Sequence, residues 1–206
     1  MSSIDSFQMP EYPAPQSERF ETARLLMCRT AREDLDPLEP TLQNPDLARG
    51  LGLDKLGDSQ AFIEYSVAAW VQGNCWTFTI VEKADGRVVG FARIDLRPRR
   101  SGGSQAEPTV GIDPDFQRRG YAYEAMRGLI AWTFNDIECP PGVTISEVRA
   151  ACLPSNSASL GLLKKLAAVG MTNLGEQQVD SLSPDPDGNQ TTTAHVFSVT
   201  REDYRQ

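Results

Sequence analysis

The sequence predicts one layered α/β domain built on a mixed sheet, and three observations carry that expectation. Segments with strand-like alternation interleave with segments of helical period, which argues for sheet and helix layers sharing one core. The chain of 206 residues is long enough for one substantial core and short for two domains. Between a short apolar run at residues 109–112 and a periodic helix near Tyr121 lies Asp113-Pro-Asp-Phe-Gln-Arg-Arg-Gly-Tyr-Ala122, a loop that delivers Gly and Ala to a helix mouth.

The elements follow in order. Residues 1–19, rich in Pro and Ser, are expected to form a flexible arm, with the domain occupying 20–206; the arm lacks both the basic and the apolar regions of a secretory signal. A strand is expected at residues 24–29. A helix over 31–42 should begin at a capping box formed by Thr30 and Glu33. A second helix is expected over 59–72. Residues 76–81 alternate as a strand, Asp85-Gly86 is a hairpin turn, and 88–94 is the returning strand. A loop containing Gly102-Gly103 leads into the strand ending at Ile112. Ala122, Ala125, Met126, Leu129 and Thr133 form the buried stripe of the central helix, which Pro140-Pro141-Gly142 should stop. Residues 143–151 read as a strand, followed by a helix opened by Asn156. Two last strands, near 172–179 and 192–199, flank the polar loop 183–189.

The loop at Gln117-Arg118-Arg119-Gly120-Tyr121-Ala122 is the feature with chemistry in it. Open backbone N–H groups, a helix dipole and two arginines meet there, which suits phosphate or pyrophosphate. It is neither a Walker loop, since the Gly-Lys-Ser/Thr ending is missing, nor a dinucleotide fingerprint. It resembles the pyrophosphate signature of the GNAT N-acetyltransferase superfamily, [QR]-x-x-G-x-[GA]. Two other stretches support the resemblance, which spans roughly residues 20–204. Glu21-Thr22-Ala23-Arg24-Leu25-Leu26-Met27-Cys28-Arg29 is similar to the opening strand of the RimJ/RimL-like branch. Asn156-Ser157-Ala158-Ser159 is similar to the N-x-x-S that opens that family's second cofactor helix.

The resemblance implies a mixed, mostly antiparallel sheet of about six to seven strands with helices on both faces. It also implies that the family's fourth and fifth strands splay apart around the pantetheine arm of acetyl-CoA, the implied cofactor. Gly111 and Ile112 would line that gap, with a backbone bulge at Gly111 supplying N–H groups to the thioester carbonyl; the plain alternative for Gly111 is a packing kink. Gln117, Arg118, Arg119, Gly120, Tyr121 and Ala122 would hold the pyrophosphate, Tyr121 by packing. Asn156 would both cap its helix and bond the pantetheine amide. Ser159 is either a helix-surface serine or a proton donor to the leaving thiolate, directly or through water. The base is sought at Glu107, two residues before Thr109, which stands where the family often has Glu. A solvated edge carboxylate is the alternative for Glu107. Leu163 stands where many members have an acid Tyr, and Lys165 to Met171 is about two residues longer than the family's helix ending.

The implied reaction is acetyl transfer to a primary amine by direct attack, with a protein N-terminus, a peptide or a small amine as acceptor. The alternative is an acyl-CoA-binding module of the same fold without turnover. A formal net charge of -8 disfavours nonspecific nucleic-acid binding. No membrane span is expected, and the chain is read as cytoplasmic, monomeric or homodimeric. Four scattered Cys residues and one His fit no common zinc pattern, so no metal is expected. Cys152 is read as a buried filler and His195 as a structural strand residue. Arg97-Pro98-Arg99-Arg100 is either a solvated hairpin loop or a contact for an acidic partner.

Overall fold

A computed structural model of the chain describes residues 18–45, 47, 58–98, 104–137, 144–180 and 191–205. Residues 1–17 of the expected arm, Arg99-Arg100, the Gly-Gly loop, Cys139, the Pro-Pro-Gly stop and the loop 183–189 lie outside those residues, while Arg19, counted with the arm, opens the first strand. Eight strands form one sheet: β1 (Arg19–Glu21), β2 (Leu25–Arg29), β3 (Cys75–Glu82), β4 (Val88–Pro98), β5 (Ser104–Ile112), β6 (Ile145–Cys152), β7 (Thr172–Asp180) and β8 (Thr191–Thr200). Their spatial order is β1-β2-β3-β4-β5-β6-β8-β7. All neighbours are antiparallel except β5 and β6, which run parallel. Among the described residues four helices cover the sheet: α1 (Leu35–Leu42), α2 (Ser59–Gln72), α3 (Tyr121–Asn135) and α4 (Ser157–Lys165).

The sheet has one strand more than the upper end of the expected range. The addition is β1, only three residues long, whose pattern is too short to read as a strand from sequence. It exists because Phe20 finds an aromatic cluster: its ring lies 5.1 Å from Phe78, edge-on, and 6.0 Å from Trp132. Trp132 in turn meets Phe78 at 4.8 Å. Gly128 of α3 makes room for this strand, since a Cβ there would meet Thr22 Cγ2 at 2.7 Å and Phe20 Cε2 at 3.0 Å.

The start of the first helix differs from the expected capping box. Thr30 is buried and its hydroxyl lies 3.1 Å from Thr79 Oγ1, so it is committed to the sheet. The cap shifts by one residue: Asp34 Oδ2 accepts from Ala31 N at 2.9 Å, and a 3-10 turn over Arg32–Asp34 precedes α1. The second helix matches its expected span, with Asp58 accepting from Ala61 N and Gly73 closing it at φ 71°. The two-residue excess after α4 is taken up by a 3-10 turn, Leu166–Val169, ending at Gly170 with φ 93°.

The two sheet faces differ. One carries Ala92, Ile94 and Leu96 of β4, Ala106 and Ile112 of β5, and Val148 of β6 against Ala125, Met126, Leu129 and Ile130 of α3. On the other, Phe91 packs with Leu38 and Leu42 of α1 and Phe62 and Ile63 of α2. Gly111 sits opposite Phe91 in an unbroken register and is a packing residue: a Cβ there would stand 2.6 Å from Phe91 Cε1. The expected bulge at Gly111 is absent, because Phe91 fills the space a side chain would take while the ladder continues to Ile112.

Gly111→Ala should therefore destabilise the fold by about 1–3 kcal/mol, the usual cost of forcing a methyl into a packed site. Urea denaturation should show a smaller cost when the same change is made in a Phe91→Leu background. Equal costs in both backgrounds would remove Phe91 as the reason for the glycine.

Candidate active site

The loop between β5 and α3 is built to present backbone. Asp113 Oδ1 accepts from Asp115 N at 2.8 Å and starts a 3-10 turn over Pro114–Phe116. Gln117 Nε2 then donates to Ile112 O at 3.0 Å, tying the loop to the strand it left. Arg118 adopts φ 64°, the one positive φ at a non-glycine among the described residues, and Gly120 follows at φ 86°. A left-handed non-glycine costs on the order of 1–3 kcal/mol and persists only where its surroundings hold it. Gly120 brings no side-chain cap to α3. The first-turn N–H groups of Tyr121, Ala122 and Tyr123 have no carbonyl to bond within the helix. A left-handed residue followed by a helical one forms a concavity of N–H groups suited to an anion.

Several side chains of the loop bond within the protein. Arg119 folds back, with Nη2 donating to Asp115 O at 2.8 Å and its guanidinium 5.1 Å from the Phe116 ring centre. The Gln117 amide is engaged at the strand end. Arg118 is exposed. Tyr121 is buried, and its hydroxyl donates to Glu82 Oε1, a bond that pushes its pKa above the ordinary tyrosine value. Ala122 is half-buried against the core.

The strand pair beside the loop opens. β5 and β6 pair only at Ser104 with Ile145, Gln105 with Glu147 and Ala106 with Val148, with a register shift after the first. Beyond those pairs, β5 bonds only to β4, and β6 only to β8. Asp113 N donates to Val89 O at 2.9 Å, which sets the alternation along the antiparallel β4–β5 ladder. Asp113, Gly111, Thr109 and Glu107 thus direct their backbone groups to β4. Ile112, Val110 and Pro108 direct theirs to the gap, as a residue without N–H at 108 permits. The N–H groups facing the gap are those of Val110 and Ile112, and Gly111 N–H belongs to the ladder. Val110 was not singled out from sequence, because ladder parity needs the observed partner.

α4 begins across the gap. Asn156 Oδ1 accepts from Ser159 N at 3.0 Å, the N-cap expected of it. That leaves its amide N–H groups as donors. Ser159 is half-buried one turn in, and Leu163 is buried in the core.

Glu107 lies in the middle of β5, directly opposite Asp95 of β4, because the strand begins at Ser104 and not near Pro108. It accepts from Arg97 Nε at 3.2 Å and from Gln105 Nε2 at 3.0 Å, and its side chain is 42% exposed. It is a carboxylate on the face of an interior strand, already engaged by a cation yet open to water. It shares its sheet face with Thr109, Arg93 and Asp95 by the period of two. Arg93 grips Asp95 with Nε at 2.8 Å and Nη2 at 2.5 Å, and its guanidinium lies 4.9 Å from the Tyr65 ring centre. This polar floor escaped the sequence reading. Its signal was Arg93, Asp95 and Arg97 alternating with Ala92, Ile94 and Leu96, two faces written in one strand.

The thiols are quiet. Burial, followed by the Asp95 carboxylate, pushes the Cys75 thiol up to about 12. Burial also raises Cys152, against a smaller pull from Lys164. Cys28, Cys75 and Cys152 are free cysteines. His195 of β8 pairs across the sheet with Cys152, in the part of β6 that has left β5, and its Nε2 lies 3.7 Å from Glu176 Oε1. Among the described residues no three His, Cys, Asp or Glu side chains gather to hold a metal, and no helix is long and apolar enough to cross a membrane.

Comparison with known proteins agrees with this geometry. A RimJ protein of Mycobacterium smegmatis in complex with CoA-disulfide shares 17% identity over 94% of this chain and 93% of its own, with a TM-score of 0.71. Spermidine N-acetyltransferase of Vibrio cholerae, in complex with CoA and spermine, shares 13% identity over 88% of this chain and 98% of its own, at 0.67. Ribosomal-protein-S5-alanine acetyltransferase of Vibrio fischeri shares 16% identity over 92% and 100%, at 0.64. No curated protein matches the chain. The family model described as acetyltransferase (GNAT) domain matches residues 24–169. With that match covering well over half its length, the chain belongs to the GNAT acetyltransferase family, enzymes that take their acyl group from acetyl-CoA.

Proposed function

We propose that this protein moves an acetyl group from acetyl-CoA to a primary amine by direct attack on the thioester. The observation that carries the reading is the placement of an open-backbone anion loop at the head of α3 beside the parted strands β5 and β6. The pyrophosphate would lie on the N–H groups at Gly120, Tyr121 and Ala122, with Arg118 adding charge. The pantetheine arm would run into the gap between Val110–Ile112 and Asn156, whose free amide N–H suits a pantetheine carbonyl.

In this reading the thioester carbonyl lies against the Val110 and Ile112 N–H groups. An amine nitrogen attacks the carbonyl carbon, and the carbonyl electron pair moves to oxygen. Fixed N–H donors bind that oxyanion more tightly than the carbonyl, which lowers the barrier. Collapse would expel the CoA thiolate, which would take a proton from water, directly or relayed through the Ser159 hydroxyl, which recovers its own proton from that water. The ammonium proton leaves through water toward Glu107. The acceptor is a protein N-terminus, a peptide or a small amine, and fold alone does not choose among them. Three free cysteines suit the reducing conditions of the cytoplasm.

A second reading, an acyl-CoA-binding module without turnover, is favoured by two observations. Leu163 is buried where an acid is often found, and Glu107 is held by Arg97. Release of free thiol from acetyl-CoA, measured over a panel of amines, separates the two. Thiol release with some amine supports transfer, and binding with no release across the panel supports the module.

Acetyl-CoA at ~100 times its Kd should stabilise the protein by about 2.7 kcal/mol, which differential scanning calorimetry reads as a clear rise in Tm. An unchanged Tm at millimolar acetyl-CoA would overturn the cofactor assignment. Gly120→Glu should abolish that rise, since it puts a carboxylate in the anion site and a side chain at φ 86°. Wild-type affinity in this variant, measured by calorimetry, would show that the loop is not the receptor.

Glu107→Gln should lower kcat/KM by ~100-fold, a common size for a general-base step, at pH values where the amine is protonated. The loss should shrink as pH rises and free amine accumulates, with CoA affinity unchanged. A pH–rate profile that overlays the wild type would remove Glu107 as the proton acceptor.

A further inference from the structure

The β1–β2 turn reaches across to the anion loop through one side chain. Arg24 is fixed at both backbone groups: its N donates to Glu124 Oε1 at 2.6 Å, and its carbonyl accepts from Lys83 N at 2.9 Å. Its Nε donates to Glu124 Oε2 at 2.7 Å. Its Nη1 donates to the carbonyl of Arg119 at 3.0 Å. Its guanidinium carbon lies 4.7 Å over the Tyr121 ring. Nη2 stands 3.3 Å from the place a Cβ would occupy on Gly120. One side chain thus touches or borders residues 119, 120, 121 and 124, the whole turn from which the anion-binding N–H groups project.

Glu124 completes the clamp. Its Oε1 also accepts from Thr22 Oγ1 at 2.6 Å, so it receives three hydrogen bonds from the β1–β2 turn. Burial works to raise its carboxyl, but the bonds from Thr22 and Arg24 outweigh burial and hold it below the usual range. The carboxylate sits in the first turn of α3, where the helix dipole favours it but where it would repel a nearby anion unless a cation offsets its charge. Arg24 is that cation and is itself neutralised, which leaves it little net field to offer a phosphate.

From this geometry we infer that Arg24 is a positioning residue for the cofactor, holding the Arg119 carbonyl so that the Gly120 and helix-start N–H groups face outward. The inference rests on the acetyl-CoA reading above. A flipped Arg119–Gly120 peptide would aim a carbonyl at the pyrophosphate, and the Nη1 bond opposes that flip. A lysine keeps the charge but has one nitrogen, which cannot bridge Glu124 Oε2 and Arg119 O in the planar fork geometry of a guanidinium.

The test uses Arg24→Ala, Arg24→Lys and Glu124→Gln in the full chain. Isothermal calorimetry should show the Kd for CoA rising about tenfold to a hundredfold in Arg24→Ala, the range seen when a positioning partner is lost. Arg24→Lys should fail to restore it, and Glu124→Gln should weaken binding in the same direction. The KM for acetyl-CoA should rise in step, while kcat at saturation stays within about threefold, because the reacting atoms lie in the gap and not at the loop. A second readout needs no ligand. Trypsin should cut after Arg118 and Arg119 faster in Arg24→Ala than in wild type, at equal far-UV circular dichroism. Full restoration by lysine would make Arg24 a charge and overturn the positioning role. Wild-type CoA affinity and wild-type cleavage in Arg24→Ala would overturn it while leaving the cofactor reading intact. A wild-type protein that binds no CoA would overturn that reading, and unchanged cleavage would then remove the loop clamp as well.

Discussion

The constraint on which the rest depends is the short parallel contact between β5 and β6. Every other neighbour in the sheet is antiparallel, which a turn or a longer connection can join. A parallel pair needs a crossover, and α3 is that crossover: the chain leaves β5 at Ile112, passes the anion loop, runs the length of α3 and returns as β6. The contact holds for three register pairs and then stops. If it continued, the backbone groups of Val110 and Ile112 would be spent in a ladder. Because it stops, they face a gap that opens beside the head of α3. The crossover, the gap and the anion loop are therefore one arrangement.

The loop is strained at Arg118 and permissive at Gly120, and its neighbours hold both. Gln117 fastens it to the end of β5, Arg119 folds onto Asp115 and Phe116, and Arg24 reaches in from the first hairpin. The side chains of Gln117 and Arg119 are thus bonded within the loop itself. What they leave available is the backbone, and a backbone receptor is rigid and indifferent to the side chains around it. Strands parted by topology and a loop of N–H groups ask for few particular residues.

The two sheet faces divide labour. The face under α3 is a continuous apolar core with an aromatic centre at Phe20, Phe78, Trp76 and Trp132. The opposite face begins apolar around Phe91 and becomes polar toward Arg93, Asp95, Arg97, Glu107 and Gln105. A partly buried ion pair such as Arg93–Asp95 gains little stability, since partial desolvation of both ions offsets their attraction. Its value is a fixed polar floor next to the open strands, with the Tyr65 ring over Arg93.

Much of this was legible in the chain itself. Alternation marked β3 and β4, Asp85-Gly86 marked their turn, and the stripe from Ala122 to Thr133 marked α3, because these signals are local and repeat along the chain. The motif Gln117–Ala122 pointed to the anion loop for the same reason: a glycine at positive φ before a helix is a local requirement. The tertiary structure decided what depends on distant partners. β1 is a strand only because Phe20 meets Phe78 and Trp132. Thr30 gives up the cap to Asp34 because Thr79 lies beside it. Gly111 is small because of Phe91 and not for a bulge. Val110 faces the gap because the ladder to β4 fixes parity, and Glu107 is held because Arg97 lies on the neighbouring strand. Sequence determines what a segment prefers over a few residues; which atoms it spends, and which it leaves free for chemistry, is set by the neighbour that folding brings to it.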